Sequence, residues 1–188
     1  MILAAVLSVV FSCGSTRSQH PELTIAELTA KIKGGKLDLS RSDLNQIPDL
    51  SALEIKELDL SYNSIKVFDE KRLPKNLNSL DLSHNKINGV VNIKVLALVQ
   101  LDLSDNKIGK VFIDTNIINN LDLSNNKLET VQMPLYSKKE KEADTLNISN
   151  NRRLDNYVSF LPNVYKHIIR HNIKNRRPLH FVLEKPIE

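Results

Sequence analysis

An eight-residue phrase recurs along this chain at a spacing that permits few folds. Leu58-Asp59-Leu60-Ser61-Tyr62-Asn63-Ser64-Ile65 reads LDLSYNSI, and LDLSHNKI, LDLSDNKI and LDLSNNKL open at Leu80, Leu101 and Leu121. A weaker copy, LDLSRSDL, opens at Leu37, and a frayed one, LNISNNRR, at Leu146. Successive openings lie 21, 22, 21, 20 and 25 residues apart. A segment of that length cannot bury an apolar face by itself. Self-similarity at this period therefore predicts a solenoid in which each coil covers the next.

Within the unit, Leu58 and Leu60 are two positions apart and share one face of a strand, while Asp59 points to the other. The Leu face is expected between coils, with the strands parallel, one per coil, in a curved sheet. Asn63, Asn85, Asn106 and Asn126 follow the strand where the chain must turn inward. A buried amide there bonds the backbone groups that a turn leaves unpaired, so these residues read as scaffold. About ten residues remain for the return path, too few for a long outer helix. Pro48, Pro74 and Pro134 argue the same way, so an extended or 3₁₀-like convex side is expected. Ile47, Leu50, Val67, Phe68, Val111 and Val131 are among the residues expected to line its inner wall.

The fixed positions match a known pattern, L-x-x-L-x-L-x-x-N-x-L. Ile55, Leu58, Leu60, Asn63 and Ile65 fill it, and three further full copies end at Ile87, Ile108 and Leu128. Over residues 37–155 the chain resembles leucine-rich repeat proteins, most closely the short-repeat, internalin-like bacterial branch. The resemblance implies an α/β leucine-rich repeat solenoid of about six short coils, whose concave parallel sheet binds a protein partner.

The ends read differently. Residues 1–12 are almost wholly apolar and uncharged, suited to a secretory signal and too short to span a bilayer. Cys13, the sole cysteine, follows Val10-Phe11-Ser12 and precedes Gly14 in a stretch resembling a bacterial lipoprotein box. That resemblance implies lipidation at Cys13, although no Lys or Arg precedes the apolar run and Phe11 is bulky for the motif. Residues 13–21 then form a tether. Residues 22–36 form an N-terminal cap: Thr24 and Glu27 carry a capping-box pattern, Ile25, Leu28 and Ile32 share a helical face, and Gly34-Gly35 ends the helix. Residues 156–188 read as a C-terminal cap, with a helix over Asn163–Asn172 and a strand or flap at Leu179–Leu183. Residues 137–144, SKKEKEAD, read as a charged surface excursion.

The net charge of +4 is uneven, since residues 152–188 hold eight Lys or Arg against three acids. On the outward face of the sheet, Asp59, Asp81, Asp102 and Asp122 fall in one column, preceded by Asp38 and followed by Asn147. A second column holds Ser40, Ser61, Ser83, Ser104, Ser124 and Ser149, and a third Arg41, Tyr62, His84, Asp105, Asn125 and Asn150. Carboxylates about 4.8 Å apart repel by roughly 1 to 3 kcal/mol per pair, so hydroxyls, amides, a cation or a basic ligand must offset them. Tyr62 and His84 are the candidates for specific contacts, because they vary while their neighbours repeat.

No signature of catalysis stands out. His167 and His171 are four apart, but no Glu base lies between them and no third ligand is evident. A Gly-rich phosphate loop and a Gly-x-Ser-x-Gly elbow are both lacking. The expectation is a non-enzyme without cofactor or metal, anchored at a bacterial envelope or secreted, and not a nucleic-acid binder. It would bind a protein through the concave face; a glycan-binding or purely structural envelope role is the alternative.

Overall fold

A computed structural model describes residues 24–94, 96, 98–114, 118–133, 143–154, 158–159 and 165–169. The apolar N-terminus with Cys13, most of the charged excursion and the basic tail beyond Ile169 lie outside these residues.

The chain winds as a parallel β-solenoid. Helix α1 (Ile25–Lys31) leads into strands β1 (Lys36–Asp38), β2 (Glu57–Asp59) and β3 (Ser79–Asp81). Strands β5 (Gln100–Asp102), β7 (Asn120–Asp122), β9 (Ala143–Asn147) and β11 (Tyr165–Ile169) continue the same sheet. Its order is β1-β2-β3-β5-β7-β9-β11, parallel throughout. The register stacks like on like: Leu37, Leu58, Leu80, Leu101, Leu121 and Leu146 lie side by side. All are at most 2% exposed, as are Leu39, Leu60, Leu82, Leu103 and Leu123. Each such side chain contributes about 2 kcal/mol on burial. An exposed ion pair such as Arg153–Glu129, at 3.6 Å, contributes less than about 1 kcal/mol. The stacked aliphatic pairs therefore hold the fold.

The return path is extended, as expected, and in the later coils it forms a second sheet. Strands β4 (Asn88–Ile93), β6 (Lys107–Ile113), β8 (Thr130–Gln132) and β10 (Val158–Ser159) run parallel in the order β10-β8-β6-β4. In the second coil the same place holds a 3₁₀ turn, Glu70–Arg72. Glu70 fastens this turn to the next coil: its carboxylate accepts the N–H groups of Lys94 and Leu96, each at 3.0 Å. Ile47, Leu50, Val111 and Val131 fill the inner wall as expected, Val91 joins them, and Phe68 packs at its margin. Val67 does not. It is 67% exposed, and the next residue, Phe68, turns inward in its place.

The N-terminal cap forms as the sequence indicates. Thr24 accepts from the Glu27 N–H, Glu27 accepts from the Thr24 N–H, and Leu28 enters the core. Ile25, expected on the same face, is exposed, because a seven-residue helix turns only part of its surface to the first coil. Gly34 and Gly35, with φ of 57° and 78°, make the two-residue turn that pairs Lys33 with Lys36; such turns need positive φ at both positions.

One reading of the C-terminal region changes. Residues 165–169 are not helical but form strand β11, which places Ile168 beside Leu146 and Ile169 beside Asn147. Val164, Tyr165, Ile168 and Ile169 suit a strand as well as a helical stripe, and β9 offers an open edge whose N–H and C=O groups need partners. At the end of the frayed repeat, Arg153 takes the place of an aliphatic residue. The next residue, Leu154, enters the core instead, fully buried, with its N–H on the Asn151 carbonyl at 3.1 Å.

Candidate functional site

The outward face is built from a local sequence that solves three problems in succession. At the end of each strand the Asp side chain closes an Asx turn, a side-chain mimic of a backbone turn. Oδ1 of Asp59, Asp81, Asp102 and Asp122 accepts the N–H of the Ser two residues on, at 2.9, 2.8, 2.8 and 2.8 Å. Asp38 does the same with Ser40 at 2.9 Å. These amides, with the Ser61 hydroxyl on Asp59 at 2.7 Å, offset part of the column's charge. The serine column is not outward as expected: Ser61, Ser83, Ser104, Ser124 and Ser149 are buried, each with its N–H on the Asp or Asn side chain two residues before it, and Ser40 is half-buried.

The following residue bends the chain. Arg41, Tyr62, His84, Asp105, Asn125 and Asn150 all have φ between 52° and 59°. The first five each keep one inter-coil backbone bond, as when the Tyr62 N–H reaches the Ser83 carbonyl at 3.1 Å. Asp, Asn and His enter this left-handed region readily, whereas Arg and Tyr do so at a cost of roughly 1 kcal/mol each.

The bend directs the consensus Asn inward. Nδ2 of Asn85 donates to the carbonyls of Leu60, Leu82 and Ser83, while Oδ1 accepts the Ile65 N–H at 3.0 Å. Asn63, Asn106, Asn126 and Asn151 repeat the arrangement, each bonding to the coil before it. These residues are scaffold, as the sequence indicates.

The side chains that remain on the surface form two rows. The first is the Asp column. Asp81, Asp102 and Asp122 line an open groove of about 460 Å³ that also takes in Ser79, Gln100, Asn120 and Asn147 and ends at Ile169. Asp59 belongs to the column but not to this groove. Oδ2 of Asp122 accepts from Nδ2 of Asn147 at 2.8 Å. Among the described residues, Oδ2 of Asp59, Asp81 and Asp102 accepts no hydrogen bond. One oxygen of each of these carboxylates builds the turn and the other is presented. Burial raises the carboxyl pKa of Asp102, and the charges of Asp122 and Asp81 push the same way against the Ser104 hydrogen bonds. At the exposed end, Asp38 shifts downward, because the Ser40 N–H and hydroxyl hold its anion and Lys36 and Lys31 stand near.

The second row is the left-handed column, and here neighbours touch. The Arg41 guanidinium carbon lies 4.1 Å from the Tyr62 ring centroid. The Tyr62 and His84 rings stack with centroids 4.2 Å apart at 16°. Nε2 of His84 is 3.8 Å from Asp105 Oδ2. Asn125 Nδ2 donates to Asp105 at 3.2 Å, and Asn150 Nδ2 to Asn125 at 2.7 Å. Tyr62 and His84 are thus together, as parts of a six-residue ladder rather than separate contact points, and they lie outside the groove. The sequence names the column but not its continuity, whose one signal is the run Asp105, Asn125, Asn150, residue types that favour the left-handed corner.

These features define a repeat scaffold: an aliphatic core, an internal asparagine ladder and a polar display face. Residues 76–94 match the family model described as Leucine Rich Repeat. The match and the parallel solenoid support a leucine-rich repeat protein, and the match points to a module for protein–protein interaction. Neither the curated proteins nor the solved structures gave a match.

Proposed function

We propose that this protein is an envelope-anchored, non-catalytic binding module that holds a protein partner against the groove of its long sheet. The observation that carries the reading is the divided role of the carboxylates. Asp81 and Asp102 each give one oxygen to the fold and turn the other toward the groove. Such a face displays negative charge without needing a ligand for its own stability. Asp59 extends the display, and Asn120, Gln100 and Ser79 add neutral donors and acceptors. Bridging donors across this face favour a partner that brings cationic or amide groups. A sugar-binding role is less well supported, because among the described residues the groove lining has no aromatic side chain on which a sugar ring could stack.

The anchoring half of the proposal rests on residues 1–13, where an uncharged apolar run ends at the sole cysteine. Acylation at Cys13 supplies the paired chains that stable membrane attachment needs. Among the described residues no helix is long and apolar enough to cross a membrane.

Both halves are testable. Asp59→Asn, Asp81→Asn and Asp102→Asn together keep every Asx turn, as Asn147 does with Ser149, and remove three charges. Affinity capture from envelope extracts should lose its partner with this triple variant; undiminished capture counts against the groove. Cys13→Ser should release the protein from the membrane fraction, and unchanged retention would refute the anchor.

A further inference from the structure

Arg41 and Tyr62 stand where the corner geometry does not select them. The position requires a left-handed backbone, and three of the six coils supply Asp or Asn there. Those three, Asp105, Asn125 and Asn150, bond to one another along the column. Arg41 and Tyr62 are exposed and contribute no such bonds. Among the described residues, Arg41 forms no ion pair and the Tyr62 hydroxyl forms no hydrogen bond. The stack does fix their orientation. The guanidinium lies over the ring at 4.1 Å, and the imidazole of His84 covers the other side of that ring. Both faces of the phenol are thereby used. The edges remain: the N–H fork of Arg41 and the Tyr62 hydroxyl.

We propose that Arg41, Tyr62 and His84 form a carboxylate-binding site that takes an acidic side chain of the protein partner. The proposal rests on the protein-binding reading above and adds a second contact of opposite charge preference to the groove. The planar guanidinium offers two parallel donors matched to a carboxylate, with a geometry that a lysine cannot reproduce. Stacking has already restricted the long Arg41 side chain, so less freedom is lost on binding. The neighbouring charges set the ligand class. Asp105, 3.8 Å from His84, and the carboxylates of the adjoining column make the surroundings unfavourable for a doubly charged phosphate and tolerable for a single carboxylate.

The test uses the full chain and short capped peptides at constant ionic strength. One peptide carries two glutamates among serines, the second has glutamines in their place, and inorganic phosphate serves as a third probe. NMR signals of the Arg41 guanidinium and the His84 imidazole report binding. The glutamate peptide should shift both signals and bind at least tenfold tighter than the glutamine peptide. Arg41→Gln should weaken it at least tenfold, and Arg41→Lys nearly as much. Equal binding of the two peptides, indifference to Arg41→Gln, or phosphate binding as tightly as the glutamate peptide would overturn the proposal. Partner capture separates the two readings. A partner held equally by wild type and Arg41→Gln sinks the carboxylate site and leaves the protein-binding reading standing. Arg41-dependent peptide binding by a chain that captures no protein does the reverse.

Discussion

Asn147 donates its side-chain amide to Oδ2 of Asp122 at 2.8 Å, replacing by attraction the repulsion that its column neighbours exert on one another. It still accepts the Ser149 N–H through Oδ1, so the turn is unchanged. The sixth coil thus provides a natural experiment for the five before it.

Asp102→Asn should stabilise the protein at neutral pH by roughly 1 kcal/mol, the scale of one added hydrogen bond and one relieved charge. The pH dependence has a definite sign. Burial raises the Asp102 pKa in the folded state, so between the ordinary carboxyl value and the raised one the folded chain holds more protons than the unfolded chain. Wild type therefore gains stability as the pH falls through that window, and the advantage of the variant shrinks. Asp38, shifted downward, behaves oppositely: its stabilisation exists above the ordinary carboxyl value and is lost as pH falls through the lowered one. Thermal melts of wild type and variant at pH 7 and pH 4 would show the difference; an unchanged gap would discount Asp102.

Asn106→Ala should cost about 2 to 4 kcal/mol. The change leaves the buried N–H of Ile87 without its acceptor and takes one of two donors from each of the carbonyls of Leu82, Leu103 and Ser104, in an interior where an unmade bond is expensive. Urea denaturation measures it, and a loss below about 0.5 kcal/mol would mean that water replaces the amide.

Glu70→Ala should act locally. The amides of Lys94 and Leu96 lose their acceptor, and hydrogen exchange at both should accelerate at least tenfold, while global stability falls by only about 1 kcal/mol. Unaltered exchange at these two amides would show that the turn holds without the carboxylate.

Ile168→Asp tests strand β11. A charge at the partly buried partner of Leu146 should detach the strand and leave the edge of β9 bare, a template for pairing with other chains. Sedimentation should then show concentration-dependent association. A variant that stays monomeric would indicate that β11 does not protect this edge.

The sequence carried the long sheet almost completely, because a motif repeated in register leaves one way to stack Leu37 through Leu146. It carried the asparagine ladder too, since an amide after a strand has few other uses. It was silent where one pattern suits two structures. Val164, Tyr165, Ile168 and Ile169 satisfy a helical stripe and a strand alike, and only the open edge of β9 decides between them. The exposure of Val67 was hidden for the same reason, because an irregular return path has no fixed period. In the candidate site, the residues of both surface rows were legible, but their contacts were not. The stacking of Arg41, Tyr62 and His84 depends on three side chains, each some twenty residues from the next, arriving with compatible tilt.

In the column, Asp59, Asp81 and Asp102 serve masonry with one oxygen and signage with the other. An exchange of Asp for Asn anywhere along it rewrites the electrostatic message and leaves the wall intact. A lineage could therefore retune what this surface greets, coil by coil, without ever renegotiating the architecture behind it.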